Sequence, residues 1–311
     1  MEYVANRDPR IEKVTGTLER IKSLPTLPAV ATEVMAIARD PKSSMRQIEE
    51  VILTDPALAT KILKVANSPF YGIRREISSL RLALTVLGIN QIRSLVVGVS
   101  VLKAVNRESG KGFNYEALWE HCTGSAALCR LLARRFGLNF DDEEYVAGLI
   151  HDIGKVILDQ YLHDEFLQAL AEAKEKGEPL EDVERRIIGV DHAFVGAWLA
   201  RKWGLPESLV EAIGEHHSPA VDSGMPSMAA VVNLADGVAR LGTIGESANP
   251  YQPKLQDLAG WRILAQSTRD GKIPKQWNIK KALDGERIDP DEFMDLLAPD
   301  IESARNFAQM I

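Results

Sequence analysis

The feature that most constrains the fold is a helical period that recurs along the chain, while the alternation of a strand never takes hold. Apolar residues return every three or four positions, and proline, glycine and capping residues cut the runs. Ser23-Leu24-Pro25-Thr26-Leu27-Pro28 reads as a rigid entry, with Pro28 suited to the first turn of a helix ending near Arg39. Ser44 and Gln47 form a capping box for a helix over 45–53. Asp55 and Pro56 supply the N-cap and first position of a helix over 56–66. The segment from Asn67 to Gly72 is turn chemistry. Ser78 is placed to cap a helix that stops at Leu87-Gly88, and an apolar helix follows over 89–105. A second set is expected at about 114–136, 142–160, 165–176, 180–203, 206–217 and 226–241. The glycine-bearing stretch at 108–112 marks the best internal boundary. The polar, proline-bearing stretch 243–255 reads as a linker, and the last helix starts at Asp289-Pro290. The expectation is an all-α protein with an N-terminal helical part (1–110), a second helical part (111–245) and a helical C-terminal extension (246–311).

Composition narrows the function classes. The 311 residues are 45% hydrophobic and 26% charged, ordinary for a globular protein. No eighteen-residue apolar run appears, so no membrane span is expected. The net charge of −7 argues against a broad nucleic-acid-binding surface. The N-terminus lacks the basic-then-apolar order of a secretory signal. Cys122 and Cys129 lie two helical turns apart, roughly 10 Å, too far for a disulfide. They read as buried thiols and the compartment as cytoplasmic.

Against this background five of the six histidines fall in one series with two aspartates: His121, His151-Asp152, His192, His216-His217 and Asp236. His121 shares a stripe with Leu128 and Leu132, and Asp236 with Val232 and Ala239. In a continuous helix over 142–160, His151 points about 100° from Asp152. Lys155 follows Asp152 by three positions, and Gly154 lets a neighbouring helix come close. His192 joins a stripe with Ile188, Val195 and Leu199, while His216 and His217 end their helix. One buried histidine is more often a hydrogen-bonded core residue than a ligand. Seven polar groups on inward faces of five helices must pair with each other or hold a cation.

The order of these residues resembles the HD superfamily of metal-dependent phosphohydrolases and, within it, the HDOD family. The resemblance rests on LPTLP at 24–28, TDPALATKILKVANSPFYG at 54–72 and ALTVLG at 83–88. It continues through LIHDIGK, GVDHAFVGAWLARKWGLP at 189–206 and EHH at 215–217. It implies an N-terminal helical subdomain packed on an HD-type helical subdomain. It also implies His121, His151, Asp152 and Asp236 as ligands of one ion. By likeness to two-metal HD-GYP phosphodiesterases, Asp152 would bridge to a second ion held by His192, His216 and His217. Lys155 would face a scissile phosphate, and an ion-activated water would attack phosphorus. Asp152 and Lys155 are thus the candidate catalytic residues. Mixed imidazole and carboxylate donors favour Fe or Mn, with Mg, Ni and Zn also compatible.

After His217 the chain departs from that pattern: SPAVDSGMPS carries no GYP signature, so cyclic di-GMP hydrolysis does not carry over. HDOD proteins are generally regarded as regulatory modules. The leading expectation is therefore a signalling protein that uses a metal-loaded HD pocket to bind a phosphorylated ligand and acts on a protein partner. The rival is an active metal-dependent phosphohydrolase, and a third reading is a metal-free interaction module. His163 is expected at a surface or interface without a role. Phe70 and Tyr71 could form a partner patch, but turn aromatics more often pack onto their own domain.

Overall fold

The computed structural model describes residues 14–16, 18–19, 25–40, 43–73, 75–105, 112–220, 227–269 and 289–310. Helices make up its regular structure, and no strand occurs among the described residues. No single described helix is long and apolar enough to cross a membrane.

The N-terminal half contains α1 (Ala29–Arg39), α2 (Met45–Leu53), α3 (Pro56–Ala66), α4 (Leu80–Leu87) and α5 (Ile89–Val105). Local chemistry sets these boundaries. Ser44 Oγ accepts from Gln47 N while the Gln47 side chain accepts from Ser44 N, the reciprocal box expected for α2. Asp55 caps α3 through Leu58 N at 3.1 Å, with Pro56 as its first residue. Two expectations shift by one residue. Ser79, not Ser78, caps α4 through Leu82 N, because the buried face of Leu80, Ala83 and Leu84 starts there. Pro28 stands just before α1 in extended conformation.

The second half carries α6 (Tyr115–Arg135), α7 (Glu143–Ile150), α8 (Ile153–Tyr161), α9 (His163–Lys176) and α10 (Leu180–Ile187). It continues with α11 (His192–Lys202), α12 (Glu207–Gly214), α13 (Met228–Leu241), α14 (Ala259–Arg269) and α15 (Pro290–Ala308). The long α6 is the spine: α7, α13 and α15 all pack on it. The halves meet where α5 lies against α7, and Leu149 sits over Gly98. Most of the proposed boundary at 108–112 lies outside the described residues.

Two expected long helices are each broken, and both breaks shape the site. The helix expected over 142–160 stops at Ile150 and restarts at Ile153, leaving His151-Asp152 at the junction. Asp152 adopts φ −96 and ψ 10, off the helical well, while His151 Nδ1–H donates back to Gly148 O at 2.8 Å. The helix expected over 180–203 breaks between Ile187 and His192. Gly189 takes φ +103, and Asp191 caps α11 through Phe194 N at 2.8 Å. Ile188 is therefore not on the helix that carries His192. The helix expected over 206–217 ends at Gly214, so His216 and His217 sit in the turn beyond it.

The stretch 243–255 is not a free linker. Ile244 is fully buried, Ser247 and Asn249 are buried, and Glu246 N donates to Ala117 O at 3.0 Å. The segment is a strap laid across the site. At the C-terminal end α15 packs on α6, and Phe307 stacks on Phe70 at a centroid separation of 4.6 Å. Tyr71 meets the Arg130 guanidinium at 4.8 Å, so these turn aromatics pack inward.

Candidate metal centre

Asp152 is the hub of the site. Its Oδ2 lies 3.4 Å from His151 Nε2, 4.0 Å from His121 Nε2 and 2.6 Å from Lys155 Nζ. Its Oδ1 lies 3.2 Å from His192 Nε2 and 3.8 Å from His216 Nε2. Asp236 Oδ1 is 3.0 Å from His121 Nε2 and 3.9 Å from His151 Nε2. His217 Nε2 is 2.7 Å from His192 Nε2. All seven residues singled out in the sequence, and Lys155, converge. His151 and Asp152 supply their groups from the junction between α7 and α8.

The donors sort into two groups of ligand-spaced atoms, His121/His151/Asp152 and His192/His216/His217. The two Asp152 oxygens face one group each. The site is enclosed: His121, His151, His192 and His216 are fully buried, and Asp152 and Lys155 nearly so. His217, 12% exposed at its side chain, lies nearest solvent.

The imidazoles are aimed from behind. A carbonyl can only accept, so the ring nitrogen facing it must donate. His151 Nδ1–H donates to Gly148 O, and His216 Nδ1–H to Ile213 O at 2.7 Å. Each neutral ring then presents a bare Nε2 lone pair to the interior. Both of these Nε2 atoms are buried without a hydrogen-bond partner. Such orphans are costly in a core, and a divalent cation would satisfy both. His121 likewise faces acceptors from both nitrogens, Ile244 O at 3.3 Å and the Asp236 carboxylate. The residues present fit a divalent ion bound by imidazole and carboxylate.

Sequence reasoning missed the residues that support this set. Glu184, fully buried on α10, takes His192 Nδ1–H at 2.5 Å and His192 N–H at 2.8 Å on the same oxygen. Arg240 Nη1 reaches Asp236 Oδ2 at 3.4 Å and donates through Nη2 to the strap at Tyr251 O. Lys155, already singled out in the sequence, donates through Nζ to Asp152 and to the strap carbonyl of Ser247 at 2.7 Å, a bond the sequence did not show. His163, expected to have no role, pairs with the buried Asp159 at 2.9 Å, far along α8 from the cluster.

The HDOD domain family matches residues 24–219. The chain belongs to the HDOD family. An HDOD domain protein of unknown function from Geobacter sulfurreducens shares the fold at 24% identity and TM-score 0.78 over 98% of each chain. A structure described as a candidate phosphohydrolase, from Shewanella amazonensis SB2B, superposes with TM-score 0.68 at 23% identity, covering 94% of this chain and 97% of its own. At these identities the likeness establishes the all-α HDOD fold. An uncharacterized Treponema pallidum protein is 27% identical over 205 residues, 64% of this chain and 39% of that protein. Ribonuclease Y from Geobacter sulfurreducens is 28% identical over 160 residues, 51% of this chain and 25% of the enzyme. This HDOD chain thus spans well under half of the curated relatives it matches.

Charge in the HDOD pocket is finely partitioned. Burial disfavours an ionised Asp152, but Lys155 and the surrounding histidines outweigh it and hold the carboxyl well below its usual range. Asp236 is likewise held low by Arg240 and His121 against burial. Burial, with His151 and His192 nearby, drives His216 down to about 3, so it stays neutral and ready as a ligand. Burial also disfavours charge on His192, yet the Glu184 carboxylate lifts it to about 10. Without a metal ion, a proton therefore sits on His192 against Asp152.

Proposed function

We propose that this is a regulatory HDOD protein whose HD pocket holds one or two divalent cations, Fe or Mn preferred, and senses a phosphorylated ligand. The observation that carries the reading is the pair of buried, partnerless lone pairs, His151 Nε2 and His216 Nε2, facing opposite oxygens of one ionised aspartate. Neutral imidazoles and a carboxylate in that relation are cation ligands waiting on charge. The ions would supply Lewis acidity toward phosphoryl oxygens.

The chain's own residues define what else a ligand must do. Lys155 is the cation nearest the hub, and the Ser247 carbonyl occupies one of its donors. Asp152 takes a second donor, which leaves Lys155 one N–H for a phosphoryl oxygen. The enclosure of the cluster favours sensing over rapid turnover.

A second reading, metal-dependent phosphohydrolysis, draws on the complete ligand set with an adjacent lysine, and on the ribonuclease Y relatives. Protein loaded with Mn(II) or Fe(II) and incubated with a panel of nucleotides and phosphodiesters separates the two. Saturable binding without product supports sensing. Product formation that Asp152→Ala abolishes supports the hydrolase. Neither binding nor product would overturn the phosphoryl reading.

A further inference from the structure

The backing of the histidines is not uniform. His121, His151 and His216 each turn Nδ1 toward a main-chain carbonyl, Ile244 O, Gly148 O and Ile213 O. His192 alone among them is backed by a carboxylate, Glu184, at 2.5 Å. The same Glu184 oxygen also holds the His192 main-chain N–H, so one group fixes both the start of α11 and the ring it carries. The second oxygen, Oε1, is buried without a partner. A fully buried carboxylate with one oxygen unsatisfied is expensive unless positive charge stands close by. His192 Nε2, on the far side of the ring, points to Asp152 Oδ1 and His217 Nε2. Glu181, one turn earlier on α10, comes within 3.6 Å of His217 Nδ1, beyond a direct hydrogen bond.

From this we infer that Glu184 is the positioning residue of the His192/His216/His217 half of the centre: it orients His192 and raises its donor strength, so that this half holds a second ion. The inference rests on the metal-binding reading above and goes beyond it by making the two halves unequal. A carboxylate behind a ligating imidazole fixes the tautomer and increases basicity, and loss of such a partner weakens metal binding about 10- to 100-fold. The His121/His151/Asp236 half has no contact with Glu184. Its affinity should therefore survive the loss of that carboxylate. Glu181 accepts from Asn249 Nδ2 at 2.9 Å and makes no direct hydrogen bond to His217, so its replacement should matter less to the metal.

The test is an anaerobic Mn(II) titration of wild type, Glu184→Gln, Glu184→Ala and Glu181→Gln, read by bound metal and by electron paramagnetic resonance. The expected wild-type result is two ions per chain with a spin-coupled signal. Both Glu184 variants should keep the first ion at wild-type affinity and bind the second about 10- to 100-fold more weakly. The coupled signal should give way to that of an isolated ion, while Glu181→Gln stays near wild type. Glu184→Asp, which keeps the charge but shortens the reach, provides the comparison if neither Glu184 variant folds. Two ions bound with unchanged affinity in the Glu184 variants, or equal loss of both ions, would overturn the inference. Wild-type protein that takes up no Mn(II) would instead overturn the metal reading beneath it.

Discussion

Replacing Gly154 with alanine should damage the site through backbone alone. Gly154 lies in the first turn of α8, and a Cβ placed there would stand 1.9 Å from His192 O and 2.8 Å from Gly196 N. Real Cβ contacts stay beyond 3.0 Å, so α11 must retreat from α8 by at least about 1 Å. The obstacle is main chain, which cannot rotate aside as a side chain would. Alanine gains up to about 1 kcal/mol of helix propensity over glycine, while overpacking costs about 1–3 kcal/mol or more. A net loss of about 1–2 kcal/mol is expected, visible as a lower urea midpoint of the metal-free protein. Because α8 follows Asp152 and α11 begins with His192, the same retreat stretches the 3.2 Å separation between these two ligands. Mn(II) affinity should then fall by more than the stability loss alone explains. An unchanged urea midpoint together with unchanged Mn(II) binding would refute the claim that the α8–α11 contact sets the geometry.

Three further perturbations probe other parts of the account. Glu144 is buried with Oε2 unpartnered, and burial lifts its carboxyl from 4.5 to about 7. A raised folded pKa means a contribution to stability that is full below pH 4.5 and is lost as pH rises through 7. Glu144→Gln should thus gain about 3 kcal/mol over wild type at pH 8 and under about 1 kcal/mol at pH 5; an equal difference at both pH values by urea unfolding would contradict this. Phe307 is 1% exposed against Phe70 and Tyr145, so Phe307→Ala should cost about 3–5 kcal/mol, and a loss under about 1 kcal/mol would show that α15 does not anchor the N-terminal turn. Since His192 is lifted to about 10, Mn(II) binding at neutral pH must expel its proton. Calorimetry in two buffers of different ionisation enthalpy should report about one proton released, and none released would remove His192 from the ligand set.

The sequence was legible where the physics is local. The Ser44–Gln47 box, the Asp55-Pro56 start and the Asp289 cap each depend on residues three or fewer apart, and each stands as read. The histidine series gave the members of the cluster because inward-facing polar residues must meet something. What failed was continuity. Apolar periodicity runs on through His151-Asp152 and through Ile188 to Asp191, so a period-based reading joins helices that the chain breaks. Gly189 followed by Asp191 was a stop-and-cap signal that the apolar run outweighed. Glu184 was illegible for another reason: its bond to His192 exists only because the break folds α10 back against α11. The strap misled by composition, since its polar residues Ser247 and Asn249 are buried and hydrogen-bonded across the site.

The central claim is that these buried imidazoles and carboxylates hold divalent metal. Elemental analysis of protein purified anaerobically and reconstituted with Fe(II) or Mn(II), beside an Asp152→Ala/Asp236→Ala double variant, tests it most directly. The account predicts one to two tightly held ions per chain in the wild type and loss of metal in the variant. Substoichiometric metal in folded wild-type protein, or equal metal in the variant, would contradict it.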